Sequence, residues 1–215
     1  MSNIRRASRI ADHWYPRPGW RPGRLFDTWH ILFDDLPEVR ALAGRAQDAL
    51  RELPGLAKVP VEWLHMTVQG VGWSDELSDS QRSDVIDSVT EEMATVRQIH
   101  ATFGPPLVKG EALVLSAAPV EALHGVRNRI RAGITRALRV QPWEALEQRH
   151  GFLPHVSVAY ARLDADAAPY AMALDKVVPV SATAVVRHIA LIRQERHFAP
   201  RWQYTWDELA RVTLA

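Results

Sequence analysis

The chain has 215 residues, 47% hydrophobic and 24% charged, which is the balance of an ordinary globular domain. It has no cysteine, which excludes disulfide frameworks, cysteine-ligated zinc, iron–sulfur clusters and thiol nucleophiles. A formal charge of +1 points to no partner through bulk electrostatics. No run approaches the ~18 apolar residues of a membrane span, and the N-terminus lacks an apolar signal core, so the expected location is the cytoplasm, away from any membrane.

Residues 1–24 hold six arginines against the single Asp12, interleaved with Trp14, Tyr15, Trp20 and three prolines. They show neither helical nor alternating period, and proline fixes φ and withholds a donor, so an extended arm is expected. Such an arm either stacks on bases and grips phosphates or lays its tryptophans over a groove in the body, and the second reading is preferred.

From residue 25 strand and helix patterns alternate. Phe26 to Phe33 reads as a strand, and Pro37 then opens a helix, with Asp34 or Asp35 as cap and Pro54-Gly55 as stop. A second strand is expected over Leu64–Val71 and a second helix over Gln81–Val96, with Val85, Val89 and Met93 inward. Two extended runs, Gln98–Phe103 and Glu111–Ala117, flank a break at Gly104-Pro105-Pro106. A third helix, Val120–Leu138, buries Leu123, Val126, Ile130 and Ile134. Its other face carries Arg127, Arg129, Arg131, Arg136 and Arg139, read as solvated, with RNA contact as the rival. A strand over Leu153–Ala161, a short helix near Ala167–Leu174 and a last strand near Ala184–Arg193 complete the body. The tail from Phe198 shows no clear period. No glycine-rich phosphate loop follows the first strand, and the expected class is α+β.

The chemistry is sought by elimination. There is no G-x-S-x-G elbow and no H-E-x-x-H or other zinc-ligand spacing, so no metal and no cofactor is expected. What remains is a doubled pattern, Leu64-His65-Met66-Thr67-Val68 and Pro154-His155-Val156-Ser157-Val158. In a strand, side chains at i and i+2 leave the same face, so each imidazole stands beside a hydroxyl. Each pair offers a proton-transfer group near neutral pH and a donor for an oxyanion. His100-Ala101-Thr102-Phe103 also fits the short pattern, but it lacks the longer alternation and reads as a structural histidine. Gln69 and Trp63 share the parity of His65 and are candidates to line a cleft. Tyr160 and Arg162 have the wrong parity to join His155 unless a bulge intervenes.

With its two motifs 90 residues apart in matched contexts and Trp29-His30-Ile31-Leu32-Phe33 as first strand, the chain resembles the 2H phosphoesterase superfamily. The likeness is to its 2'-5' RNA ligase or RNA 2',3'-cyclic phosphodiesterase family in particular, and it runs from about Leu25 to Arg193. It implies a bilobal α+β fold, in which two pseudo-symmetric antiparallel sheets form a concave cleft with helices outside. Each lobe then gives one motif, so the implied catalytic residues are His65, Thr67, His155 and Ser157. The implied partner is an RNA end or a nucleotide carrying a 2',3'-cyclic phosphate, hydrolysed or ligated without a metal. The organisation expected is an arm over 1–24, one bilobal domain over 25–197 and an aromatic tail over 198–215. The rival from another class is a non-catalytic RNA-binding module using the arm and the arginine face of the third helix. The sequence assigns neither the acid and base roles nor the oligomeric state.

Overall fold

The structure, a computed structural model, describes residues 6–140 and 151–215; the first five residues of the arm lie outside that range. In chain order it begins with β1 (Arg9–Ile10), β2 (Leu25–Leu32), α1 (Pro37–Ala49), β3 (Leu56–Lys58), β4 (His65–Trp73) and α2 (Asp79–Met93). The middle holds β5 (Ile99–Lys109), β6 (Ala112–Ala118), α3 (Val120–Leu138) and β7 (His155–Ala161). It closes with β8 (Ala165–Asp166), α4 (Ala168–Leu174), β9 (Ala182–Val186), β10 (His188–His197) and β11 (Gln203–Thr213).

Two antiparallel sheets carry the molecule, one in the order β11-β10-β2-β4 and the other β3-β7-β6-β5-β9. The α+β class with paired sheets and outer helices is therefore what the chain adopts. The helices cross between lobes. α1, which leaves the four-stranded sheet, packs on β7 and β9 of the five-stranded one, while α2 and α3 pair and lean on β11, β4 and β6. Each lobe thus buries apolar residues contributed by the other, and one core, from Trp29 and Phe33 through Val89 to Leu113 and Val158, runs through both.

Several local expectations are corrected. The first helix has Leu36 as its N-cap residue and no side-chain cap, because Asp34 is held by Arg211 instead. The second helix starts at a full capping box, with Ser78 and Gln81 satisfying each other's backbone donors. Gly104-Pro105-Pro106 does not break the chain. β5 runs through it, the pairing with β6 slips between Phe103 and Pro106, and the hairpin turns at Gly110 and Glu111. A bulge tolerates residues without an N–H, which is why proline fits there. The last expected strand is two strands, β9 and β10, which belong to different sheets and part at Arg187. The tail forms β11, paired along its length with β10.

The arginine face of α3 is solvated only in part, with Arg129, Arg136 and Arg139 exposed. Arg127 is buried, Arg129 pairs with Glu92, Arg136 pairs with Glu91 and Glu92 of α2, and Arg131 reaches Gln69 of β4. The arm lies on the body, with Trp14 against Tyr160 and Tyr204 and Trp20 against Phe26 and Trp73. Its arginines face carboxylates: Arg6 meets Asp175, Arg17 meets Glu111, and Arg24 meets Asp75 and Glu76. Among the described residues no helix is long and apolar enough to cross a membrane.

The α2–α3 crossing depends on Gly133, where a Cβ would sit 2.8 Å from the Val89 side chain and 3.0 Å from its backbone. Gly133→Val should therefore lower stability by about 1–3 kcal/mol, the usual cost of overpacking a close helix contact. A shift in the urea midpoint measures it, and a midpoint at or above that of the unaltered chain contradicts the contact.

Candidate active site

Both histidine motifs lie where the lobes meet, on β4 and β7, whose Cα atoms approach within 8 Å across the boundary between the sheets. In each the ring is fixed by the same local bond. His65 Nδ1 lies 2.8 Å from the Trp63 carbonyl and His155 Nδ1 lies 2.6 Å from the Leu153 carbonyl, both two residues upstream. A carbonyl only accepts, so each Nδ1 carries the hydrogen and each neutral ring keeps its Nε2 lone pair for chemistry.

Each motif is followed by a bulge. On β4 the pairing jumps from Thr67 opposite His30 to Gln69 opposite Trp29, which leaves Val68 extra. On β7 it jumps from Ser157 opposite Val114 to Ala159 opposite Leu113, which leaves Val158 extra. A bulge reverses the parity of the residues after it. Gln69 is thereby turned to the helix side, where it is buried and meets Arg131, so it does not line the cleft. Tyr160 is turned the other way, onto the face of His155 and Ser157, and Trp63 and Tyr160 line one groove with His65. Arg162 instead lies over Trp202. The freed Val158 carbonyl accepts from the Val59 N–H at 3.0 Å and from Gln47 of α1 at 2.9 Å.

The groove also takes Trp202 and Tyr204 from the tail. His30 stacks parallel to His65, centroids 4.4 Å apart, and its Nε2 is 3.2 Å from the Thr67 hydroxyl. Trp206 stands edge-on to both rings at 5.6 and 5.0 Å. Across the cleft, Lys109 Nζ lies beside the His155 ring, 3.2 Å from Nδ1 and 3.3 Å from Nε2. The arm closes the end near Tyr160: His13 stacks on that ring at 4.1 Å and its Nε2 meets the Tyr204 hydroxyl at 2.9 Å. His100 is exposed on β5, among neither pair.

Burial decides the proton affinities. His65 is pushed down to about 4 by desolvation, against the pull of the Trp63 carbonyl. His155 falls to about 3, first through desolvation and then through the Lys109 charge, with His65 adding to the depression. That last effect shows the two imidazoles sharing one field. Lys109 itself is lowered by desolvation to about 8, with Glu111 opposing. Elsewhere, Asp34, Asp35 and His188 hold potential ligand atoms within 4.8 Å of one another, but both Nη atoms of Arg211 already lie 3.0 Å from Asp34 Oδ2.

Four further residues at the cleft belong to neither motif. His30 has a sequence signal, since it alternates with Thr28 and Leu32 in a strand that faces the motif. Trp206 and Tyr204 alternate too, within a tail whose charges hide the period. Lys109 has none, because only the continuation of β5 past the prolines carries it to the cleft.

Residues 37–198 match the 2'-5' RNA ligase superfamily. The chain belongs to that superfamily. Among solved structures, TT0787 of Thermus thermophilus superposes with a TM-score of 0.62 at 21% identity, over 89% of this chain and 97% of its own. E. coli LigT complexed with 3'-AMP gives 0.60 at 15% identity, over 89% and 98%. LigT complexed with phosphate gives 0.60 at 14%, over the same shares. No curated protein matches by sequence. The shared architecture spans nearly the whole of these structures.

The buried imidazoles make stability depend on pH. Each is neutral in the folded chain and takes up a proton once unfolded near 6.5, so stability should fall as pH drops below about 6.5 toward 4. In His65→Gln the fall at pH 5 should be shallower by about one proton, roughly 1.4 kcal/mol per pH unit. Urea unfolding at pH 7, 6 and 5 tests this, and equal slopes in the two proteins contradict a neutral, buried His65.

Proposed function

We propose that the protein is a metal-independent phosphodiesterase that opens 2',3'-cyclic phosphates on RNA ends or nucleotides, with transfer to an RNA 5'-hydroxyl as the ligation counterpart. What supports the reading above all is the matched pair of imidazoles, each locked through Nδ1 and each beside a hydroxyl, on adjoining strands of two lobes. In-line displacement needs an acid and a base on opposite sides of phosphorus, and two lobes supply two sides.

His155, held neutral by burial and then by the Lys109 charge, accepts a proton from water as the water oxygen bonds to phosphorus. The bond from phosphorus to one ribose oxygen breaks, and His65, as imidazolium, gives its Nε2 proton to that oxygen. The products are a ribose hydroxyl and a phosphomonoester, with the proton now on His155. Thr67 and Ser157 donate to the non-bridging oxygens, where charge gathers. Without substrate both rings stay neutral; an arriving phosphate anion raises both affinities and so charges the acid only when substrate is present. The arm across one end of the groove suits a chain terminus or a single nucleotide rather than a strand passing through. The LigT complexes with 3'-AMP and phosphate accord with such a ligand. A binding module that relies on the arm and α3 is disfavoured, because their arginines already face carboxylates.

The test is turnover of a 2',3'-cyclic nucleotide and of a cyclic-phosphate-ended oligonucleotide, with EDTA present. His65→Ala and His155→Ala should each lose about 10²–10⁴-fold in kcat/KM with the fold retained. The unaltered enzyme should keep its rate in EDTA and show a bell-shaped pH profile. Full activity in either alanine protein, or loss in EDTA restored by zinc or manganese, overturns the reading.

A further inference from the structure

We propose that Lys109 is a catalytic residue of this cleft, a further cation that binds the phosphoryl oxygens beside His155 and offsets the charge they gain as the cyclic ester opens. This rests on the phosphodiesterase reading above and adds a residue outside both histidine motifs.

The placement comes from the register. Lys109 sits opposite Ala112 on β6, and Ala112 sits opposite Tyr160 on β7, so the three side chains share one face. That is the face of the groove, because the Val158 bulge has turned Tyr160 into it. From there the four-carbon stem brings Nζ beside the His155 ring, 3.3 Å from the free Nε2 and 3.2 Å from Nδ1, which the Leu153 carbonyl holds.

A structural role accounts poorly for this arrangement. The ammonium is half-buried, and its hydrogen-bond partner is an imidazole rather than a carboxylate. Glu111, the acid that acts on it, is already engaged by Arg17 and His13. A desolvated cation without a paired anion among the described residues is costly, and here it also disfavours protonation of His155. The groups beside it are His155 of β7 and Glu111 with its two arm partners, and Tyr160 shares its face through the strand register. Together they leave the cleft with an excess of positive charge.

The reaction supplies the balancing anion. A cyclic phosphate diester carries a single negative charge, and attack by deprotonating water drives the phosphoryl oxygens toward two. The His65 imidazolium is present at the start and a second forms on His155 as the water is deprotonated; the ammonium adds a cation that is in place before either proton moves. With its affinity lowered to about 8 it is still largely protonated at neutral pH.

The experiment compares the full chain with Lys109→Met, Lys109→Gln and Lys109→Arg, using two readouts. Calorimetric titration with inorganic phosphate at pH 7 should show about tenfold weaker binding in the Met and Gln proteins, with most of it restored by Arg. Turnover of a 2',3'-cyclic nucleotide should fall about 100-fold in kcat for Met and Gln, with KM changing less. The acidic limb of their kcat/KM profile should also move to higher pH, because His155 has lost a neighbouring positive charge. Phosphate binding, kcat and limb position all unchanged in Lys109→Met and Lys109→Gln overturn the proposal. So does equal loss in Lys109→Arg, which keeps the charge. If the unaltered chain binds phosphate but opens no cyclic ester, the phosphodiesterase reading falls while the phosphate titration still decides Lys109.

Discussion

Val68 and Val158 are each an extra residue in a strand, and those two bulges decide which side chains the cleft receives. Without them strict alternation would carry Gln69 into the groove and send Tyr160 into the helix layer. With them, each motif offers an imidazole and a hydroxyl on one face, and the next residues are reassigned. A bulge leaves backbone groups to be satisfied, and at Val158 the loop residue Val59 and the α1 residue Gln47 do so. The site geometry is therefore tied to a helix that begins in the other lobe.

The same crossing of α1 and α3 between lobes explains why two half-sites hold a fixed relation. A hinge between separately packed lobes would let the imidazoles drift apart. Here the shared core makes separation of the lobes an exposure of apolar surface, which the hydrophobic effect opposes. Rigidity of this kind is what in-line acid–base chemistry requires, since its efficiency depends on holding reacting atoms in line.

In the proposed function the cleft meets an anion. Desolvation depresses both imidazoles, Lys109 adds a positive charge, and the hydroxyls of Thr67 and Ser157 stand beside them. The arm and tail shape access to it. Trp202 and Tyr204 form part of the groove wall, and His13 plugs its end, so segments at the two ends of the described chain help define what fits. Their aromatic and arginine content looks like nucleic-acid chemistry when read linearly, yet most of it is satisfied within the molecule.

What the amino-acid sequence determined by itself is the set of locally coded features. Periodicity gave α3 its bounds, aromatic and β-branched content gave β2, alternation gave β4, and the doubled His-x-Thr/Ser spacing pointed to both candidate half-sites. These depend on neighbours along the chain, which a linear pattern records. Tertiary structure alone decided the bulges, the split at Arg187 between β9 and β10, the recruitment of the tail as β11, and the arrival of Lys109 at the cleft. Each of those depends on pairing between segments far apart in sequence. One added residue in a strand reverses every later side chain, and nothing local to that strand records where the partner's register will slip.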